Sequence, residues 1–292
     1  MTRRSNLLTG LLWTAPWWLG FVLLLATPMA FSLYISFCDY PLLQPPVFTG
    51  LENYSQLARD PTFAKVVYNT AVFAALSIPS ATALAILLAV LLNAPIRGRA
   101  FFRACIFVPT IVPLAAAGLI WMWMLNPDYG PVSAALRLVG LTPPLWLESP
   151  RWAMLSLVIV SLWFIGSPVV IYLAALGEIP QSLYEAARID GAGPARQFCH
   201  ISLPGLSPVI LFNVIVGIIS AWQVFALPYL MWRTRPGPDR TTYFYTMYLF
   251  DNAFSYLKMG YASAMAWIQF IIVLALTGLV FWLSRRMVHY RA

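Results

Sequence analysis

Few side chains in this 292-residue sequence are placed to do chemistry, and their spacing excludes most of what they could do. Cys38, Cys105 and Cys199 are an odd number, far apart and without a C-x-x-C pair, so free thiols are expected rather than a disulfide framework, a zinc site or a redox dithiol. His200 and His289 are too few and too separated for a histidine-based metal signature. No G-x-x-x-x-G-K-[ST] loop is present and the only lysines are Lys65 and Lys258, so nucleotide hydrolysis is not expected of this polypeptide. There is no G-x-S-x-G elbow, no H-E-x-x-H and no paired intramembrane carboxylate to support hydrolysis or group transfer. What remains is one polar insertion, residues 177–205, reading GEIPQSLYEAARIDGAGPARQFCHISLPG, and a few polar or small residues inside apolar stretches.

The elements that must carry these residues follow from composition. With 61% hydrophobic and 10% charged residues and a mean hydropathy of +0.76, the chain is an integral membrane protein. Its net charge of +8 comes from 18 thinly spread basic residues with no basic face. Excess positive charge in that pattern orients a chain against an anionic leaflet, and no nucleic-acid partner is expected.

A charged side chain at mid-bilayer costs at least ~2.5–3.5 kcal/mol, so charges mark the loops. Six charge-free runs result, 5–38, 66–96, 104–127, 152–177, 201–232 and 259–284, each longer than a helix needs to cross the hydrocarbon layer. Trimmed at turn residues, they predict an all-α membrane protein with six transmembrane helices near 11–37, 66–93, 104–126, 153–176, 206–231 and 261–284, forming one transmembrane domain over 1–292. The first run exceeds a signal-peptide core and reads as a retained helix. Loops on the side of the N-terminus carry ten Lys/Arg (Arg3, Arg4, Arg97, Arg99, Arg103, Arg188, Arg196, Arg285, Arg286, Arg291) against eight opposite, and acidic residues split three to seven. Both termini are therefore expected in the cytoplasm of a cell-membrane protein.

The 177–205 insertion has its own helical signals. Pro180 suits a first turn, and Ser182 stands three before Glu185 as in a capping box. Leu183, Ala186 and Ala187 form an apolar strip, and Gly191-Ala192-Gly193-Pro194 ends one helix and starts a second containing Phe198 and Ile201. Two short helices along the inner membrane face are expected. By amphipathicity alone they could equally be a lid on the underside of the bundle.

The letters go further. Glu185-Ala186-Ala187, Gly191 and Ile201-x-Leu203-Pro204 resemble, in residue and spacing, the cytoplasmic signature loop of binding-protein-dependent ABC importer permeases. Asp190-Gly191-Ala192 and Ile179-Pro180 resemble the carbohydrate-uptake branch, the glycerol-phosphate and maltose permease family, and by length and the features that follow the chain is similar to the first permease of the pair. Leu51-Glu52-Asn53-Tyr54, Phe101-Phe102-Arg103 with Pro109, and Gly260-Tyr261-Ala262-Ser263-Ala264 resemble family features elsewhere.

The resemblance implies a coupling helix between helices 4 and 5, involving Tyr184, Glu185, Ala186, Ala187, Asp190, Gly191, Ala192 and Phe198, docked on an ATPase subunit. Glu185 could meet an arginine there through a charge-assisted hydrogen bond, or could instead cap its own helix with Ser182. The implied partners are a homologous second permease, two ATPase subunits, an extracytoplasmic solute-binding protein and a sugar substrate, all within or against the lipid bilayer. No cofactor is expected on this chain; ATP and Mg belong to the ATPase subunits.

Six helices without ionisable groups disfavour an ion-coupled carrier, and they fit a neutral polyhydroxylated solute. Candidate pathway residues are Trp163, Gly166 and Ser167, then Gly217, Ser220, Ala221, Trp222, Gln223 and Val224, of which 217, 220, 221 and 224 would share a face. The latter stretch resembles the sugar-contacting segment of the maltose permease, with smaller or apolar residues where that family has polar and aromatic ones. Helix packing is an equal reading for Trp222 and Gln223. In the loop 232–260, Pro236-Gly237-Pro238 and Thr241 resemble a segment that contacts the binding protein, although the family's first glycine is replaced; a solvated loop carrying Arg233, Arg235 and Arg240 is the alternative. Rival functions are an ABC permease for glycerol-phosphate or peptide, an ion-coupled carrier, or a multi-pass membrane enzyme.

Overall fold

The computed structural model describes residues 3–95, 97–232 and 236–285, with side chains from Gly10 onward. The side chains of Arg3 and Arg4, and Arg233, Arg235, Arg286, His289 and Arg291, thus lie outside the described residues.

The elements run α1 (Arg3–Gly20), a π-turn Phe21–Ala26, α2 (Thr27–Ile35), β1 (Cys38–Asp39), β2 (Val47–Phe48), α3 (Glu52–Arg59) and α4 (Pro61–Asn93). Then follow α5 (Arg99–Phe107), α6 (Leu114–Met124), α7 (Pro131–Leu138), α8 (Pro150–Ser161), α9 (Gly166–Gly177), α10 (Gln181–Ile189) and α11 (Pro194–Gln197). The chain continues through α12 (Leu203–Trp222), α13 (Ala226–Met231), α14 (Tyr245–Phe250) and α15 (Met259–Ser284). Four continuous helical stretches, 10–35, 61–93, 194–222 and 259–284, are long and apolar enough to cross a membrane, and two bent pairs bring the candidates to as many as six.

Three of the expected helices are interrupted. Between α5 and α6, a 3-10 turn Val108–Ile111 and an extended Val112 (ψ 128°) turn the chain by 104°, where 104–126 predicts one rod. Val112 precedes Pro113, and a residue before proline is pushed out of the α region. α8 and α9 are bent by 50° across the 3-10 turn Leu162–Phe164, where 153–176 predicts continuity. α12 stops at Trp222 and restarts as α13 after Phe225 (φ −143°, ψ −62°), with Pro228 in the new first turn, where its missing N–H costs nothing.

The chain divides into two compact units. In the unit made of residues 1–63 and 248–271, β1 and β2 pair antiparallel, Cys38 opposite Phe48. Buried Asn53 of α3 donates to the carbonyls of Ser36 and Cys38, both at 2.9 Å, and Ser36 Oγ lies 2.8 Å from Tyr54 Oη. Gly260 sits so near that a Cβ would come within 2.0 Å of the Cys38 carbonyl oxygen, which is why the backbone can close only over glycine there. Asp60, between α3 and α4, accepts from Tyr248, from Tyr261 at 2.7 Å and from the Thr62 N–H at 2.8 Å. Burial alone would raise its carboxyl, but these donors outweigh it and hold the group below the ordinary carboxylate range.

In the unit made of residues 64–247 and 272–292, the core joins Ala85, Ile86, Ala89 and Leu92 of α4 to Val169, Tyr172 and Leu176 of α9 and Leu206 of α12. Small residues on α4 let these helices approach closely, as membrane helices require when lipid offers no hydrophobic drive. Asn69 of α4 donates to the Arg240 and Tyr243 carbonyls at 2.6 and 2.9 Å, and Thr70 Oγ1 accepts the Tyr245 N–H at 3.0 Å.

Candidate functional site

The 177–205 insertion forms one amphipathic helix, α10, rather than two free ones. Its N-cap position is Pro180, which has no side-chain acceptor; Ser182 lies inside the first turn, and no side-chain hydrogen bond caps the helix. The capping box expected of Ser182 and Glu185 is not formed, and Glu185 points its carboxylate into the open. The helix ends in a Schellman motif: the Ala192 N–H bonds the Ala187 carbonyl at 2.8 Å and the Gly191 N–H the Arg188 carbonyl at 3.1 Å. Gly191 adopts φ +75°, the left-handed conformation this motif needs. The expected second helix is the root of the next long one, since α11 passes through a π-turn, Phe198–Ser202, into α12 as a single 29-residue stretch.

Which face of α10 is covered also differs from the apolar strip predicted. Tyr184 and Ala187 turn toward the bundle, while Leu183 (49% exposed), Glu185, Ala186, Ile189 (87% exposed), Asp190 and Gly191 do not. Tyr184 and Phe198 pack against the core that holds Ile179 and Leu206, and Tyr184 Oη lies 2.9 Å from Ser202 Oγ. Ala192 is held from behind, its carbonyl accepting from Gln197 Nε2 at 2.7 Å. An apolar surface centred on Leu183, Ala186 and Ile189, with Glu185 beside it, is thus left bare on a helix anchored to the base of α12.

A cavity of about 540 Å³ collects part of the predicted pathway: Gly217, Ser220, Ala221, Gln223 and Val224 all line it. No ionisable side chain is among its lining residues. Val224 reaches it from the broken segment between α12 and α13 rather than from the helical face it was expected to share. The other predicted residues are elsewhere. Trp163 stacks edge-on against Trp121 at 5.9 Å, and Trp222 is buried against Tyr245 at 6.1 Å, which is packing. Gly166 is where α9 meets α5, a Cβ there lying 2.6 Å from the Ile106 carbonyl oxygen. Ser167 is exposed and does not line the cavity. Sequence reasoning missed the opposite wall, Phe73, Ser77, Ile78 and Ala81 of α4, because periodicity in a uniformly apolar helix does not say which face is lined.

Pro236-Gly237-Pro238 forms a tight turn. Gly237 has φ +71°, Thr241 Oγ1 donates to the Pro238 carbonyl at 2.8 Å, and Asp239 and Arg240 also have positive φ.

Residues 81–289 match the family described as the binding-protein-dependent transport system inner membrane component, which covers most of the chain, including α10 and the cavity wall contributed by α12 and α13. The chain belongs to this family. The permease is 35% identical over 292 residues to the probable ABC transporter permease protein YesP of Bacillus subtilis, spanning 99% of this chain and 94% of that protein. It is 36% identical over 259 residues to the sulfoquinovosyl glycerol transport system permease protein SmoG of Agrobacterium fabrum, covering 88% and 83% of the two chains. Its fold matches a chain of a bacterial ABC transporter involved in the import of the acidic polysaccharide alginate, with a TM-score of 0.83, 98% of each chain covered and 23% identity.

Proposed function

We propose that this permease is a sugar-importing subunit with six membrane spans, each bent pair counting as one, and with both termini in the cytoplasm. Residues 1–292 act as one transmembrane domain. It is not itself a catalyst: two ATPase subunits on separate chains supply ATP and Mg chemistry, a homologous second permease completes the pathway, and an extracytoplasmic binding protein delivers the solute. The observation that carries this reading is the bare Leu183–Ala186–Ile189 surface of α10 on a helix tied to α12. A groove on an ATPase subunit would cover that surface, and Glu185 and Asp190 would meet cationic groups at its rim.

Motion would reach the cavity directly. Displacing α10 pulls on Ser202, at the root of the helix whose far end presents Gly217, Ser220 and Ala221 to the cavity. A cavity without ionisable lining suits a neutral part of a polyhydroxylated solute. SmoG's sulfoquinovosyl glycerol and the alginate of the structural neighbour are both saccharide cargoes, and a saccharide is the class we assign here. The Pro236–Thr241 turn would contact the binding protein.

The test is uptake by the purified complex in liposomes with its binding protein, ATP enclosed, against a panel of lactose, sulfoquinovosyl glycerol, an alginate oligosaccharide, glycerol phosphate, a short peptide and an ion gradient without ATP. ATP-dependent uptake of a saccharide supports the reading. Uptake confined to glycerol phosphate or peptide, or uptake driven by the gradient alone, overturns it.

A further inference from the structure

A second cavity, of about 630 Å³, lies apart from the one described above, between the C-terminal end of α6, the loop leading to α8, and the end of α13. Its walls are aromatic: Trp123, Tyr129, Trp146 and Trp232, with Asn126 and Glu148 between them. Two of the rings are fixed. Trp232 Nε1 donates to the Leu147 carbonyl at 2.8 Å, and Trp146 Nε1 to Ser133 Oγ at 3.2 Å. The other two are open, Trp123 at 55% and Tyr129 at 67% exposure.

The loop bearing Asn126 and Tyr129 is held in shape. Asn126 Oδ1 accepts the N–H groups of Asp128 and Tyr129 at 2.9 and 3.2 Å, and Arg137 of α7 clasps the Pro127 and Asp128 carbonyls. At Gly130 the backbone doubles back so tightly that a Cβ would meet the Asn126 carbonyl oxygen at 2.5 Å. With its carbonyl spent on the turn, Asn126 keeps amide N–H groups to donate, and exposed Glu148 supplies an acceptor-only carboxylate.

Aromatic faces set beside a hydrogen-bond donor and a charged acceptor match a sugar ring, whose C–H face is apolar and whose edge carries hydroxyls. We propose that this cavity is a saccharide-binding site at the outer mouth of the permease, where a sugar released by the binding protein is held before passage inward. The site rests on the saccharide reading and on the orientation given above, under which the ends of α6 and α13 face outward. Trp123 and Tyr129 supply the stacking faces and Glu148 and Asn126 the hydroxyl partners. A rigid, preformed cradle of this kind limits the ordering cost of capturing a mobile solute.

The experiment uses the whole complex in nanodiscs without the binding protein, with the saccharide that the uptake panel selects as the probe and saturation-transfer NMR as the readout. Trp123→Ala is expected to weaken binding on the order of tenfold, as for loss of an aromatic contact, with Trp123→Phe restoring most of it. Glu148→Gln should weaken it less and remove the transfer signal from individual hydroxyl-bearing ring positions. Recovery of the intact complex controls for folding. Unchanged saccharide binding in both Trp123→Ala and Glu148→Gln overturns the site. Loss of co-purifying lipid from Trp123→Ala with saccharide binding intact does so too, and assigns the rings to an interfacial aromatic belt instead. If the uptake panel selects no saccharide, the function reading and the site fall together; if it selects one and the unsubstituted complex does not bind it without the binding protein, or these variants bind it normally, only the site falls.

Discussion

Tyr184 Oη and Ser202 Oγ lie 2.9 Å apart, joining the exposed helix α10 to the root of α12. α10 is otherwise bound to its surroundings mainly through Tyr184, Ala187 and the turn at Gly191, so this hydrogen bond is a direct mechanical link between the bare surface and the helix that lines the cavity. Replacing Tyr184 by Phe keeps the ring in the core and removes only the link, at about 1 kcal/mol. The expected outcome is an intact complex that hydrolyses ATP but transports less solute per ATP, measured by parallel uptake and phosphate release. An unchanged ratio would place the coupling elsewhere.

Gly191 at φ +75° sets how α10 ends. A Cβ there costs about 1–2 kcal/mol, and nothing lies within 4 Å to obstruct it, so Gly191→Ala should shift the end of α10 without harming the bundle. ATPase subunits should co-purify less well with Gly191→Ala and with Glu185→Ala, while membrane insertion stays normal. Equal recovery of the ATPase from both variants would argue that α10 is only a cover for the underside.

Two glycines of the predicted pathway should behave differently. At Gly166 an added Cβ meets the Ile106 backbone at 2.6 Å and the Phe107 Cα at 3.0 Å, neither of which can rotate away. Gly217 faces the Ile78 side chain at 3.4 Å, which can give. Gly166→Ala is expected to destabilise by roughly 1–3 kcal/mol through overpacking and to lower complex yield, whereas Gly217→Ala should leave yield alone. Thermal unfolding of the two purified variants in one detergent checks this.

The Asp60 carboxyl sits below its ordinary range, so its ionised form is favoured in the folded state. Its contribution is present above the unfolded value, near ~4, and is lost as pH falls through the lower folded value. Tyr248 is pushed up to about 12 by burial and by its hydrogen bond to Asp60, so its contribution is full below the unfolded value near ~10 and lost as pH rises toward 12. Asp60→Asn should therefore lower the melting temperature at neutral pH and flatten the loss of stability in acid. A parallel acid limb in the wild type and the variant would rule Asp60 out as its source.

Much of this was legible in the residues, for physical reasons. Charges are costly in lipid, so the six apolar runs emerged from the positions of Asp, Glu, Lys, Arg and His200, and every candidate span overlaps one of them. The role of Asn53 and Gly260, quoted only as motif residues, becomes clear in the structure, where Asn53 stitches two carbonyls and Gly260 admits the Cys38 backbone. The breaks were harder to see. Pro113 and Pro228 mark two of them, but membrane helices tolerate proline, as Pro79 inside α4 shows, so a proline alone does not say which helix breaks. Trp163 was a candidate for the pathway and Trp222 an equal candidate for packing, because aromatic residues serve both uses; in the structure each ring sits against another aromatic ring. The aromatic cavity near Trp123 and Trp232 joins residues about a hundred positions apart, which no local pattern reveals.

The most direct test of the account is the intact mass of the complex that co-purifies with this chain after gentle solubilisation from its native membrane. One copy of this permease, one homologous permease and two ATPase subunits are expected, with the ATPases lost selectively from Glu185→Ala. A stable lone chain or homodimer, under conditions that keep other membrane complexes together, would contradict it.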